Sequence, residues 1–111
     1  MSPLMTTTDI VEVITTGPDQ EWAATLITSL LRGKLVACGQ QIAIRSRYRW
    51  QGRFEDAAEV RVVLHTTAAL AGVVREAILA DHPYDLPAIL VTWVMQCNER
   101  YAEWVREETR S

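Results

Sequence analysis

Apolar and polar positions alternate with a period of two in some stretches of this chain and recur every three or four residues in others. The switches between these periods divide it into elements. Ile10 to Ile14 alternates and is rich in β-branched residues, which predicts a strand ending near Thr15 and Thr16. Gly17-Pro18-Asp19 breaks it. Asp19 suits a helix N-cap, and Gln20 and Glu21 suit the positive end of a helix dipole. Trp22, Ala23, Leu26, Ile27, Leu30 and Leu31 follow at helical spacing, and Gly33 stands where a C′ glycine would end the helix. The first helix is therefore expected over about residues 19–32.

Leu35 to Cys38 predicts the start of a second strand, interrupted at Gly39-Gln40-Gln41. From Ile42 the alternation is strict: Ile42, Ile44, Ser46, Tyr48 and Trp50 share one face, and Arg45, Arg47 and Arg49 the other. Gln51-Gly52 between two such runs signals a hairpin turn. The return arm runs from Glu55 to Thr66, with Val60, Val62 and Leu64 toward the core. A two-stranded ribbon reaching beyond its sheet is unstable alone, so this one is expected to lie against something else.

Leu70, Val73, Val74, Ala77 and Ile78 give a second helix, with Thr66 or Thr67 as its cap and Asp81-His82-Pro83-Tyr84 as its end. Ala88 to Met95 is nearly all apolar and predicts a fourth strand covered on both faces. Asn98 then caps a last helix, with Glu99 in its first turn and Tyr101, Trp104 and Val105 as its apolar side. The order is β-α-β-β-α-β plus a terminal helix. It predicts an α+β fold: a ferredoxin-like antiparallel sheet with an added C-terminal helix and a long hairpin between its second and third strands.

Length and composition narrow the function. A chain of 111 residues with 49% apolar and 23% charged residues makes one globular domain, placed at 9–110 after a short disordered leader at 1–8. Its net charge of −3 lacks the basic surface that nucleic acid requires, and no apolar run approaches the roughly 20 residues that span a bilayer. Two cysteines, Cys38 and Cys97, in no metal or redox spacing, fit reduced thiols in the cytoplasm. Cys38 reads as a small buried hydrophobe and Cys97 as a strand-end thiol, neither activated for catalysis. Four tryptophans are many for so small an interior, a hint that some are buried between subunits.

Several segments together resemble one family. Thr15-Thr16-Gly17-Pro18-Asp19, Leu35 to Cys38, Ser46-x-Tyr48-x-Trp50-x-Gly52, Glu59 to Thr67 ending in Leu64-His65-Thr66-Thr67, His82-Pro83-Tyr84-x-x-Pro87 and Tyr101-x-x-Trp104 occur in the order found in CutA, the divalent-cation tolerance proteins. The resemblance runs from about Asp9 to Arg106. It implies a homotrimer shaped like the PII signalling proteins, with the hairpins packed between subunits, and binding of copper or another divalent cation. This chain departs from the pattern in places. Thr15 stands where some members have Cys, and Asp81 where some have the first of two histidines. His65 or Thr66 replaces a lysine, Asp85 and Ala88 replace acidic positions around the second proline, and the arm before Trp50 is one residue short of a Pro-Gly bulge. A bulge sets where a strand bends, so its loss leaves the hairpin's angle open.

In this topology the end of the first strand and the start of the fourth lie at one edge, which should bring Thr15 near Asp81 and His82. Thiolate and imidazole suit copper and a threonine hydroxyl does not, so His82 and Asp81 would form a weak metal site, incomplete unless another subunit contributes. The simpler reading, taken first, has His82 hydrogen-bonded in a proline-stiffened turn. A second helix of about 14 residues, roughly 20 Å long at ~1.5 Å per residue, keeps His65 away from that site within one chain. His65 is read first as a strand-end residue and second as part of an inter-subunit cluster.

The arginines of the ribbon are expected to pair with Glu55, Asp56 and Glu59 across it. A cleft between protomers that grips an anion or small molecule is the alternative, with Arg47, Tyr48, Trp50, His65 and Tyr84 as its cleft or interface residues. No nucleophile–base pairing, phosphate loop or open metal motif points to an enzyme.

Overall fold

The structure, a computed structural model, describes residues 5–110. In chain order the elements are β1 (Met5–Thr7), β2 (Ile10–Gly17), α1 (Gln20–Arg32), β3 (Cys38–Trp50), β4 (Arg53–Thr67), a 3-10 turn (Ala68–Leu70), α2 (Ala71–Asp81), β5 (Ile89–Trp93), β6 (Gln96–Asn98) and α3 (Glu99–Glu108). The main sheet is antiparallel in the order β3-β4-β2-β5, the ferredoxin-like arrangement expected. Among the described residues no helix is long and apolar enough to cross a membrane.

The sheet buries its two faces differently. Val11 and Val13 of β2 and Val60, Val62 and Leu64 of β4 meet Ala23, Leu26, Ile27 and Leu30 of α1 and Val74 and Ile78 of α2. Gly39 is where α1 comes nearest, since a Cβ there would lie 2.5 Å from Ile27 Cγ2. On the opposite face α3 packs Ala102 and Val105 against Ile10 and Ala37, covering one end of the sheet only. Ile42 and Leu90 stay exposed at the other end.

The helix ends follow local chemistry, not always the residues expected. Asp19 Oδ1 accepts from the Trp22 N–H at 2.8 Å, a direct N-cap. At the other end of α1 the left-handed residue is Lys34 (φ 56°), while Gly33 has φ −81°. The Leu35 N–H donates to Leu30 O and the Lys34 N–H to Leu31 O, the paired bonds of a Schellman ending. The motif is therefore one residue later than Gly33 suggested. Neither Thr67 nor Asn98 caps by its side chain. Thr66 donates instead to Leu35 O at 2.6 Å, tying β4 to the segment after α1. Val73 of the second helical stripe is exposed, because α2 lies on the sheet chiefly through Val74 and Ile78.

Three strand expectations change. β3 is continuous through Gly39-Gln40-Gln41, and its register with β4 runs unbroken from Cys38↔His65 to Trp50↔Arg53. With no bulge the arm stays regular to a two-residue turn, where Gln51 (φ 51°) and Gly52 (φ 77°) both take the positive φ of a type I′ hairpin. Pairing with β2 stops at Gly17↔Val60, so the rest of the ribbon projects. The long axis is 51 Å, and the radius of gyration is 15.3 Å against about 13 Å for a compact domain of this length.

The apolar strand expected to be covered on both faces is an edge strand, with Leu90 58% and Trp93 61% exposed. Its apolar run thus reflects no cover within the chain. Of the leader expected at 1–8, residues 1–4 lie outside the described residues, and Met5–Thr7 pair with Gln96–Asn98 as a small second sheet.

Candidate functional site

The turn after α2 is built by His82. A backbone carbonyl can only accept, so the 2.8 Å contact with Thr16 O places a proton on Nε2. A backbone N–H can only donate, so Nδ1 accepts from Tyr84 N at 3.1 Å. Together these bonds specify a neutral ring with both nitrogens engaged. Trp22 meets the ring in an edge arrangement at 4.9 Å between centroids, and Tyr84 is tilted against it at 4.8 Å. Trp22 reaches this place because Gly17 offers no Cβ, which would stand 2.1 Å from the indole.

The topology does bring the end of β2 to His82, as expected, but the contact is with the Thr16 backbone. Thr15 is buried, and its hydroxyl has no hydrogen-bond partner among the described residues. Asp81 is exposed at the end of α2. Among the described residues no three His, Cys, Asp or Glu side chains converge in a way that could hold a metal ion. Within one chain, Asp81 and His82 therefore do not fit a metal centre.

His65 belongs to a separate cluster near the start of β2. It sits in register with Glu12 on one side and Cys38 on the other. Its Nε2 donates to Glu12 Oε2 at 2.8 Å, and in the neutral ring Nδ1 accepts from the Tyr101 hydroxyl at 2.6 Å. This chain of bonds pins α3 to the sheet. Burial, followed by the nearby Cys38 thiol, pushes the Tyr101 hydroxyl up to about 12.

The ribbon arginines resolve by strand parity. Arg45, Arg47 and Asp56 share a face, and Asp56 takes Arg45 at 2.7 Å and Arg47 at 3.6 Å. Arg49 lies over Phe54, 4.9 Å from the ring centroid. Glu55 and Glu59 face the other way, opposite Tyr48 and Ile44. They cannot answer the stripe, which corrects the pairing expected of them; Glu55 meets only Arg53, at 3.7 Å.

Chiefly on that other face, a cleft of about 600 Å³ opens between the ribbon, from Glu59 up to Trp50 beside the turn, and the segment after His82. Arg47, Tyr48, Trp50 and Tyr84, all expected as cleft residues, line it, together with Glu59 and Leu86. His65 does not. At its wall Tyr84 donates to Glu59 Oε2 at 2.7 Å, and burial and this carboxylate raise the tyrosine's ionisation well above its usual range. Glu59 and Leu86 were not anticipated. Alternation along the ribbon carried the signal for Glu59, because the residue paired with Ile44 shares the face of Ile44 and not that of the arginines. Leu86 sits in a proline-bounded loop with no periodicity to read.

Residues 11–108 match the family described as CutA1 divalent ion tolerance protein. The divalent-cation tolerance protein CutA of Pyrococcus horikoshii is 40% identical over 98 residues, spanning 88% of this chain and 96% of that one. The protein CutA 1, chloroplastic, of rice is 31% identical over 111 residues, spanning 99% of this chain and 63% of that one. The crystal structure of CutA1 from Ehrlichia chaffeensis superimposes with a TM-score of 0.89 at 32% identity, covering 96% of this chain and all of the other. Fold, motif order and sequence agree, and the chain belongs to the CutA family of divalent-cation tolerance proteins.

Proposed function

We propose that this chain is a cytoplasmic, homotrimeric binding protein of divalent-cation tolerance and not an enzyme. It takes copper or another divalent ion weakly, between copies, with Asp81 and His82 as each copy's contribution. The observation that carries the reading is the occupied state of His82. A metal at Nδ1 must displace the Tyr84 N–H, and losing one such bond costs roughly 1–2 kcal/mol, about a five- to thirtyfold penalty in affinity. Weak binding follows from that competition.

Self-association is supported by apolar surface that one copy cannot cover. Leu90 and Trp93 on the β5 edge and Phe54 on the ribbon, 81% exposed, are expensive to leave in water. Light scattering should give about three times the 12.5 kDa chain mass; a stable monomer would remove the trimer. Calorimetric titration of copper and zinc should show weak binding that falls in His82→Ala, and identical curves would remove His82 from the metal site.

A second reading is favoured by the cleft. Its volume suits a small organic ligand, and the ribbon that forms one wall is the part expected to lie against neighbouring copies. A thermal-shift screen of amines, carboxylates and nucleotides tests it, because a ligand that binds only the folded state raises the midpoint.

A further inference from the structure

We infer that the cleft takes a small organic cation, an ammonium group carried on an apolar body, with Glu59 as its counter-ion. This rests on the cleft reading and adds the ligand's charge and class. Glu59 is only 9% exposed, yet among the described residues its one side-chain partner is the neutral Tyr84 hydroxyl. None of the ion pairs among the described residues includes it. A buried carboxylate without a cation is costly, because its desolvation is not offset by attraction. Tyr84 occupies Oε2, so Oε1 remains to accept.

The surroundings select the class of cation. The rings of Tyr48, Trp50 and Tyr84 line the same space, and aromatic faces attract weakly hydrated cations. A hard divalent ion instead needs six or more oxygen ligands, whereas Glu59 and Asp85 are the carboxylates here and no three-ligand cluster forms among the described residues. An anion meets a poor reception. Arg47 is the one basic side chain of the lining, its side chain is 78% exposed, and Asp56 already faces it at 3.6 Å. Arg45 and Arg49 are not part of the lining. Apart from Arg47, the arginine stripe that suggested an anion site thus stays outside the cleft.

Three probes with one body separate the possibilities: phenethylammonium, 2-phenylethanol and 3-phenylpropionate, titrated calorimetrically into the full chain in amine-free buffer. Phenethylammonium should bind at least about tenfold tighter than the carboxylate, and Glu59→Gln, which keeps an acceptor for Tyr84, should weaken it about tenfold or more. Trp50→Leu, at the half-exposed ribbon tip, should cost roughly three- to thirtyfold and serves if Glu59→Gln does not fold. Equal binding of all three probes would overturn the charge assignment while leaving the cleft reading intact. No binding of any probe at about 10 mM, where a millimolar site would fill, would sink both. Should Glu59→Gln instead dissociate the oligomer, the missing cation is a neighbouring subunit's side chain and the ligand proposal fails.

Discussion

Replacing Tyr101 by Phe tests whether the Glu12–His65–Tyr101 chain holds α3 to the sheet. The substitution keeps the ring, which packs in the cluster of Ile10, Ala37, Ala102 and Val105, and removes only the hydroxyl. That deletes the 2.6 Å bond to Nδ1 of His65, a side chain just 17% exposed, and leaves the nitrogen with little access to water. One bond of this kind contributes about 1–2 kcal/mol. The pH dependence supplies a second, independent signature. The hydroxyl's value is raised from 10 to about 12 in the folded chain, so the folded state holds this proton more tightly than the unfolded state. Its contribution is complete below pH 10 and is lost as pH rises toward 12.

A two-unit shift corresponds to at most about 2.7 kcal/mol, and solvent at the partly exposed ring reduces this to roughly 1 kcal/mol. Urea unfolding followed by circular dichroism, at one fixed protein concentration from pH 7 to 11.5, should therefore show the variant about 1–2 kcal/mol weaker at pH 7. The gap should close by roughly 1 kcal/mol at the alkaline end. Tyr84 and the other titrating groups are common to both proteins and cancel in the difference. A gap absent at pH 7 would refute the hydrogen-bonded role of Tyr101, and one that stays constant up to pH 11.5 would refute the burial of its hydroxyl beside Cys38.

Other outcomes follow from the same geometry. Lys34→Gly should stabilise the chain by about 0.5–1 kcal/mol in the same urea assay, because a left-handed φ of 56° strains a residue with a Cβ. Gly39→Ala should destabilise by about 1–3 kcal/mol, since the new methyl meets Ile27, a buried side chain with no room to retreat. Arg45→Ala should change the unfolding free energy by less than about 0.5 kcal/mol despite its 2.7 Å contact, because both partners are solvent-exposed. His82→Ala should lower the thermal midpoint by about 8–12 °C, reflecting two lost hydrogen bonds worth roughly 2–3 kcal/mol together.

The alternation of Ile10 to Ile14 and of Ile42 to Trp50, the Asp19 cap and the Gln51-Gly52 turn each determined their element from sequence, because strand parity, capping and positive φ are settled within a few residues. Their order settled the sheet, and the ordered motifs from Thr15 to Trp104 settled the family. Tertiary structure decided whatever depended on partners distant in the chain. Whether Ala88 to Met95 was a covered strand or an exposed edge turned on what lies beside it, which an apolar run cannot say. Both nitrogens of His82 are engaged by groups at Thr16 and Tyr84, partners that the sequence reading of a hydrogen-bonded turn could not name. Glu59 gained its place only when the ribbon and the loop after His82 closed on one another, because a carboxylate's burial is a property of the packed chain and not of its neighbours in sequence.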